Sequence, residues 1–144
     1  MCSPPYPNAY SYHLYHMTRM LWLGMNQPQF KAQEIGSHRK YSRRGPNGAT
    51  VATFENEMSQ VFQWISGHLR VGAYACFVVG PSTLAGRVVD NAALLARVAR
   101  PFGFSEVGRF QRRLHEGRKS FNPAIGKIRQ ESVLVLRFAG GATE

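Results

Sequence analysis

The feature that most constrains the fold is the run at residues 73–80, Ala-Tyr-Ala-Cys-Phe-Val-Val-Gly. It is too short for an independent helix and too continuously apolar for a strand with one wet face, so it predicts a buried central strand. The flanking patterns alternate. Upstream, Thr53 can cap a helix running to about Leu69, with Phe54, Met58, Val61, Phe62, Ile65 and Leu69 as its apolar stripe and Gly72 as its break. Downstream, a loop with Pro81 and Gly86 leads to Asp90. Asp90 caps a second helix with Leu94, Leu95 and Val98 on its face, ending before Pro101. Strands are expected at 104–110 and 132–138. Alternating helices and strands argue for an α/β layered sheet. With no helix between them, the last two strands are expected to be antiparallel neighbours joined by a long hairpin loop.

Before this core, residues 3–8 (Ser-Pro-Pro-Tyr-Pro-Asn) form an extended loop, because their three prolines exclude helix. Tyr10, Leu14, Met17 and Leu21 keep helical spacing over 9–23, and Gly24 is the expected stop. Residues 25–52 read as a long basic loop region holding Lys31, His38, Arg39, Lys40, Arg43 and Arg44, with one short helix near 28–35. A loop that long within a small domain points to function or disorder. A second basic loop, 111–130, holds Arg112, Arg113, His115, Arg118, Lys119, Lys127 and Arg129.

The imbalance of 18 Lys+Arg over 8 Asp+Glu, a net +10, favours a polyanionic partner, with nucleic acid the commonest. The 144 residues suit a single domain, and 44% hydrophobic residues suffice for one core. Cys2 and Cys76 form no CxxC pair, so neither a disulfide framework nor a zinc site is expected, and Cys76 reads as inert core. His13 and His16 have i, i+3 spacing but lack further ligands, so no metal site is expected. With no bilayer-length apolar run and no signal-peptide core at the N-terminus, a cytoplasmic protein is expected.

Ser3-Pro4-Pro5-Tyr6 resembles the catalytic motif of DNA amino-methyltransferases, whose general form is Asp/Asn/Ser-Pro-Pro-Tyr/Phe. The Ser form is associated with N4-cytosine enzymes. The resemblance extends through Asn8-Ala9-Tyr10, Tyr12-His13-Leu14-Tyr15-His16, Leu21-Trp22-Leu23-Gly24 and Glu34-Ile35-Gly36-Ser37. It continues at Val88-Val89-Asp90-Asn91, Lys119-Ser120-Phe121-Asn122-Pro123 and Ile125-Gly126-Lys127, so it covers nearly the whole chain.

The resemblance implies methyl transfer from S-adenosylmethionine to the exocyclic amine of a DNA base, N4 of cytosine first and N6 of adenine second. Such an amine is a poor nucleophile because its lone pair is delocalised into the ring. Acceptors aimed at its N–H groups localise that pair. By analogy these are the Ser3 hydroxyl and the Pro4 carbonyl, with Pro4 and Pro5 holding the loop rigid and Tyr6 stacking on the flipped base. Asn8 and Tyr10 are candidate pocket residues. Arg39, Lys40, Arg43 and Arg44, and Arg112, Arg113, Arg118 and Lys119, are candidate phosphate contacts.

The family's cofactor loop, Phe-x-Gly-x-Gly after a first strand, has no counterpart. Residues 80–86 have the wrong spacing, Gly140-Gly141 leads into no helix, and only Met1-Cys2 precede the Ser-Pro-Pro-Tyr loop. The expectation is therefore a partial class I S-adenosylmethionine-dependent methyltransferase (Rossmann-like) fold. It would comprise the fifth to seventh strands, with the last antiparallel, and would lack the cofactor half. The single partial domain, 1–144, divides into a catalytic loop at 1–8, a basic and possible target-recognition loop at 25–52, and a helix/strand core at 53–139. Such a chain is expected to be inactive alone without a cofactor-binding half. Three explanations stay open: a split gene whose second polypeptide supplies that half, a truncated fragment, and a relic that only binds. The alternatives are a base-amine methyltransferase acting on RNA, where a related motif has Asp first, and a non-catalytic basic nucleic-acid-binding fragment.

Overall fold

The computed structural model describes residues 1–8, 10–43, 45, 48–113 and 130–141. The aromatic stretch forms two short helices, α1 (Tyr12–Tyr15) and α2 (Met17–Trp22), where its spacing predicts one. Leu14, Met17 and Leu21 are exposed, and the buried residues of these helices are His13 and Met20. Polar contacts anchor the segment instead: the His13 ring meets Glu34, and the Gln27 side chain donates to the His13 carbonyl at 3.1 Å. In α3 (Gln27–Gln33), Asn26 accepts from the Gln29 N–H at 3.0 Å, and Pro28 occupies the first turn, where its missing donor has no helical acceptor to lose. A single turn, α4 (His38–Tyr41), also lies within the region expected to be irregular.

Helix α5 (Val51–Ser66) is capped three residues before the expected cap. Thr50 is the N-cap, and Thr53 closes a capping box with it: the Thr50 N–H donates to Thr53 Oγ1 at 3.0 Å and the Thr53 N–H to Thr50 Oγ1 at 3.4 Å. Phe54, Met58 and Phe62 are its buried stripe, while Leu69 falls beyond its end.

Strand β1 (Tyr74–Val79) is followed by a hairpin, β2 (Ser82–Leu84) and β3 (Arg87–Val89), where a loop was expected. Ala85 and Gly86 have φ of 48° and 78°, as a two-residue hairpin turn with matching twist requires. Buried Asn91 ties the hairpin down, donating to the Gly80 carbonyl at 2.8 Å and accepting from the Ser82 hydroxyl at 3.3 Å. Helix α6 (Asn91–Ala99) is capped by Asp90, as expected, and buries Leu94, Leu95 and Val98. After a 3-10 turn come β4 (Phe104–Arg113) and β5 (Gln130–Phe138), each longer than expected.

The sheet order is β1-β5-β4, with both pairs antiparallel, so β1 and β4 run in the same direction. The expected pairing of the last two strands is present, with a register shift between Glu106 and Gly108. Their connection, 114–129, lies outside the described residues.

One face of the sheet is sealed. The Phe62 ring centroid lies 5.4 Å from that of Phe77 and 5.6 Å from that of Phe104, while Leu134, Leu136 and Phe138 of β5 are buried beside α6. The opposite face is not. There Cys76, Val78, Val133 and Val135 are half-buried, and Tyr74 and Phe110 are exposed. The strand read from the sequence as buried and central is thus buried on one face only, and it lies at an edge of the three-stranded sheet, with β5 in the middle. No helix among the described residues is long and apolar enough to cross a membrane.

Candidate functional site

Cys2 makes a parallel bridge to β1, its N–H donating to the Cys76 carbonyl and its carbonyl accepting from the Val78 N–H, each at 2.9 Å. This bridge directs Ser3-Pro4-Pro5-Tyr6 toward the C-terminal end of β1. Ser3 is exposed, Pro4, Pro5 and Tyr6 are half-buried, and Pro7 is buried. Tyr6 packs against the core. Burial is the main cause that pushes its phenol above the usual range; Ser3 and the Gly80 backbone oppose the shift by hydrogen bonding, and the Glu131 carboxylate adds to it.

The loop is clamped from outside. Gly36 has φ +72°, and a Cβ there would lie 2.6 Å from the Tyr6 carbonyl oxygen, so only glycine allows this approach. The Gly36 carbonyl accepts from the Asn8 N–H at 3.1 Å. Asn8 itself has φ 65°, a conformation that asparagine tolerates better than most residues. Its amide donates to the Thr83 carbonyl and its Oδ1 accepts from the Ser42 hydroxyl, both at 3.1 Å. The Asn8 carbonyl lies 3.2 Å from His38 Nδ1. The Asn8 side chain is therefore engaged in holding the loop to β2 and to the turn after α4. The Tyr10 carbonyl accepts from the His38 N–H at 2.9 Å, and its half-buried ring lies 5.8 Å from that of Tyr12.

Two carboxylates organise this region, Glu34 of the Glu34-Ile35-Gly36-Ser37 stretch and Glu57 of α5. Glu34 is buried; it accepts from the Tyr12 N–H and lies 2.5 Å from His13 Nδ1. His13 Nε2 is the buried side-chain atom left without a partner among the described residues. Glu57 of α5 accepts from the Gly36 N–H at 3.3 Å and the Tyr41 hydroxyl at 3.1 Å, and also pairs with the Lys40 ammonium. Burial, reinforced by Glu57, pushes the Tyr41 phenol far above its ordinary range. One signal for Glu57 was available: it sits between Phe54 and Met58 on the helix's apolar side, where a carboxylate needs a partner.

The candidate phosphate contacts divide. Arg39 and Arg43 are exposed, and Lys40 is engaged with Glu57. Lys31, His38, Arg39, Lys40 and Arg43 line a groove of about 780 Å³ between α3 and α4. In the second cluster Arg112 pairs with Glu131 at 2.5 Å, and Arg113 is exposed at the end of β4. Arg44, Arg118 and Lys119 lie outside the described residues. Among the described residues no group of three or more His, Cys, Asp and Glu gathers as metal ligands would.

No family model matches the chain, and no curated protein does. Among solved structures it is similar to TTHA0409 of Thermus thermophilus, described as a candidate DNA modification methylase. The S-adenosyl-L-methionine complex of that protein aligns with 65% of this chain at 23% identity and a TM-score of 0.49. A second structure of the same protein gives 22% identity and the same TM-score. The chain spans about 40% of the length of the protein it matches.

Proposed function

We propose that this chain is the target-base half of an S-adenosylmethionine-dependent DNA methyltransferase acting on an exocyclic amine, N4 of cytosine first and N6 of adenine second. The observation that carries this reading is the build of the Ser3-Pro4-Pro5-Tyr6 loop. It holds an exposed hydroxyl beside a half-buried aromatic ring on a backbone fixed by two prolines, by the Gly36 contact and by Asn8. Hydrogen-bond acceptors held in place before the reaction need no reorganisation during it. The Ser3 hydroxyl and the Pro4 carbonyl accept from the amine N–H groups and localise the nitrogen lone pair. Tyr6 stacks on the extruded base. Positioning supplies the rest.

The strand arrangement supports the same reading. A parallel stub at Cys2, then β1, with the antiparallel last strand between β1 and β4, is the order this reading expects for the fourth to seventh strands. The half-buried apolar face carrying Cys76, Val78, Val133 and Val135 suits cover by a cofactor-binding half.

The described residues do not suit the cofactor. The glycine turn after β1 enters the β2–β3 hairpin rather than a helix, and Asn91, the first residue of α6, is already bonded to the Gly80 carbonyl there, so among the described residues this turn does not form a cradle for an adenosyl group. When bound in the partner half, S-adenosylmethionine supplies the methyl group. The lone chain is expected to bind it weakly or not at all, and a micromolar dissociation constant by calorimetric titration would contradict this.

The decisive test is radiolabelled methyl transfer by the chain reconstituted with a cofactor-binding half, on duplexes offering either cytosine or adenine. Ser3→Ala is expected to lower turnover about a hundredfold, as loss of a preorganised hydrogen-bonding group does elsewhere, and Tyr6→Ala to lower it sharply through lost stacking on the extruded base, with duplex binding retained in both. Near-normal turnover in either variant removes that residue from the mechanism. A non-catalytic DNA-binding role, favoured by the basic groove, predicts binding with no methyl transfer at all.

A further inference from the structure

The groove between α3 and α4 has cations on both walls. Lys31 stands on α3, Arg39 and Lys40 on α4, and Arg43 on the turn that follows. Among the described residues no acidic side chain lines it. The two nearby carboxylates are turned into the fold: Glu34 toward His13 and the Tyr12 N–H, Glu57 toward Gly36, Lys40 and Tyr41. Lys31, Arg39 and Arg43 have no ion-pair partner among the described residues, whereas Lys40 does. The groove is joined directly to the Ser-Pro-Pro-Tyr loop, because the His38 ring meets the Asn8 carbonyl and the Arg39 N–H donates to the Ser11 hydroxyl at 3.1 Å.

We propose that this groove seats the phosphodiester backbone of duplex DNA, with Lys31, Arg39 and Arg43 as phosphate contacts and Lys40 as a strut that fixes α4 to α5 through Glu57. The proposal rests on the DNA reading above. It adds Lys31 to the contact set and removes Lys40 from it. A lysine already neutralised by a carboxylate releases little counterion on binding, whereas an unpaired one contributes fully.

The test is fluorescence anisotropy of a labelled duplex with the full chain across a salt series. Lys31→Ala and Arg39→Ala are each expected to weaken binding and to flatten the slope of log affinity against log salt by about 0.9. Lys40→Ala is expected to leave the slope unchanged and to lower the melting temperature. If the wild-type chain binds and Lys31→Ala changes neither affinity nor slope, the groove is solvated surface and the proposal fails. A slope loss near 0.9 for Lys40→Ala at unchanged melting temperature overturns the strut. A wild-type chain that binds no duplex overturns the DNA reading itself. Equal loss on a heparin competitor lacking bases is expected, because the contacts are to charge.

Discussion

In the sheet layer Phe62, Leu95, Leu134 and Leu136 are fully enclosed, whereas in the N-terminal third Leu21 and Trp22 stand 80% and 88% exposed. The two regions are held by different forces. Around the sheet, apolar surface removed from water does the work, a non-directional force that tolerates small shifts. The N-terminal third has helices of four to seven residues, too short to be stable alone. It is positioned by directional contacts to Glu34 and Glu57 and by the Gly36–Tyr6 approach. Directional polar contacts favour one geometry over its neighbours, which is what a loop presenting Ser3 and Tyr6 needs. Glu57 links the regions, since it belongs to a core helix yet bonds outward to the segment at 36–41.

The contrast can be broken at three places. Phe62→Ala should be the most damaging, destabilising the chain by about 3–5 kcal/mol through the cavity left between α5 and the sheet. Urea unfolding reads this directly, and a loss under about 1 kcal/mol would mean that the sealed face is not what holds the fold. Gly36→Ala is expected to destabilise by about 1–3 kcal/mol, because it places a Cβ against the Tyr6 carbonyl at a positive φ. Its sharper consequence is displacement of the Ser-Pro-Pro-Tyr loop, so methyl transfer by the reconstituted enzyme should fall about tenfold or more with duplex affinity retained. Unchanged turnover would detach Gly36 from the reaction. Trp22→Ser should change stability by less than about 0.5 kcal/mol, as for a surface residue with no buried contacts. A loss of about 2 kcal/mol or more in the same unfolding assay would show that the α2 face is covered in solution and that the two regions differ less than the structure implies.

The sequence by itself determined the elements whose side chains must leave water. The apolar run at 73–80, the stripe from Phe54 to Phe62, the Asp90 cap and the antiparallel closing strands were all legible, because burial and capping leave periodic, local marks. The prolines of Ser3-Pro4-Pro5-Tyr6 likewise dictated an extended loop. The helix expected over 9–23 was misread in extent and burial, since its spacing resembled an apolar stripe while its anchor was the polar pair His13–Glu34, 21 residues apart. Only the tertiary structure decided that Lys40 faces Glu57, that Asn8 braces the loop, that Arg112 pairs with Glu131, and that one face of the sheet is left half-covered. The physical reason is range. A hydrogen bond or ion pair between residues far apart in the chain depends on where the fold brings two side chains, and no local pattern records that meeting.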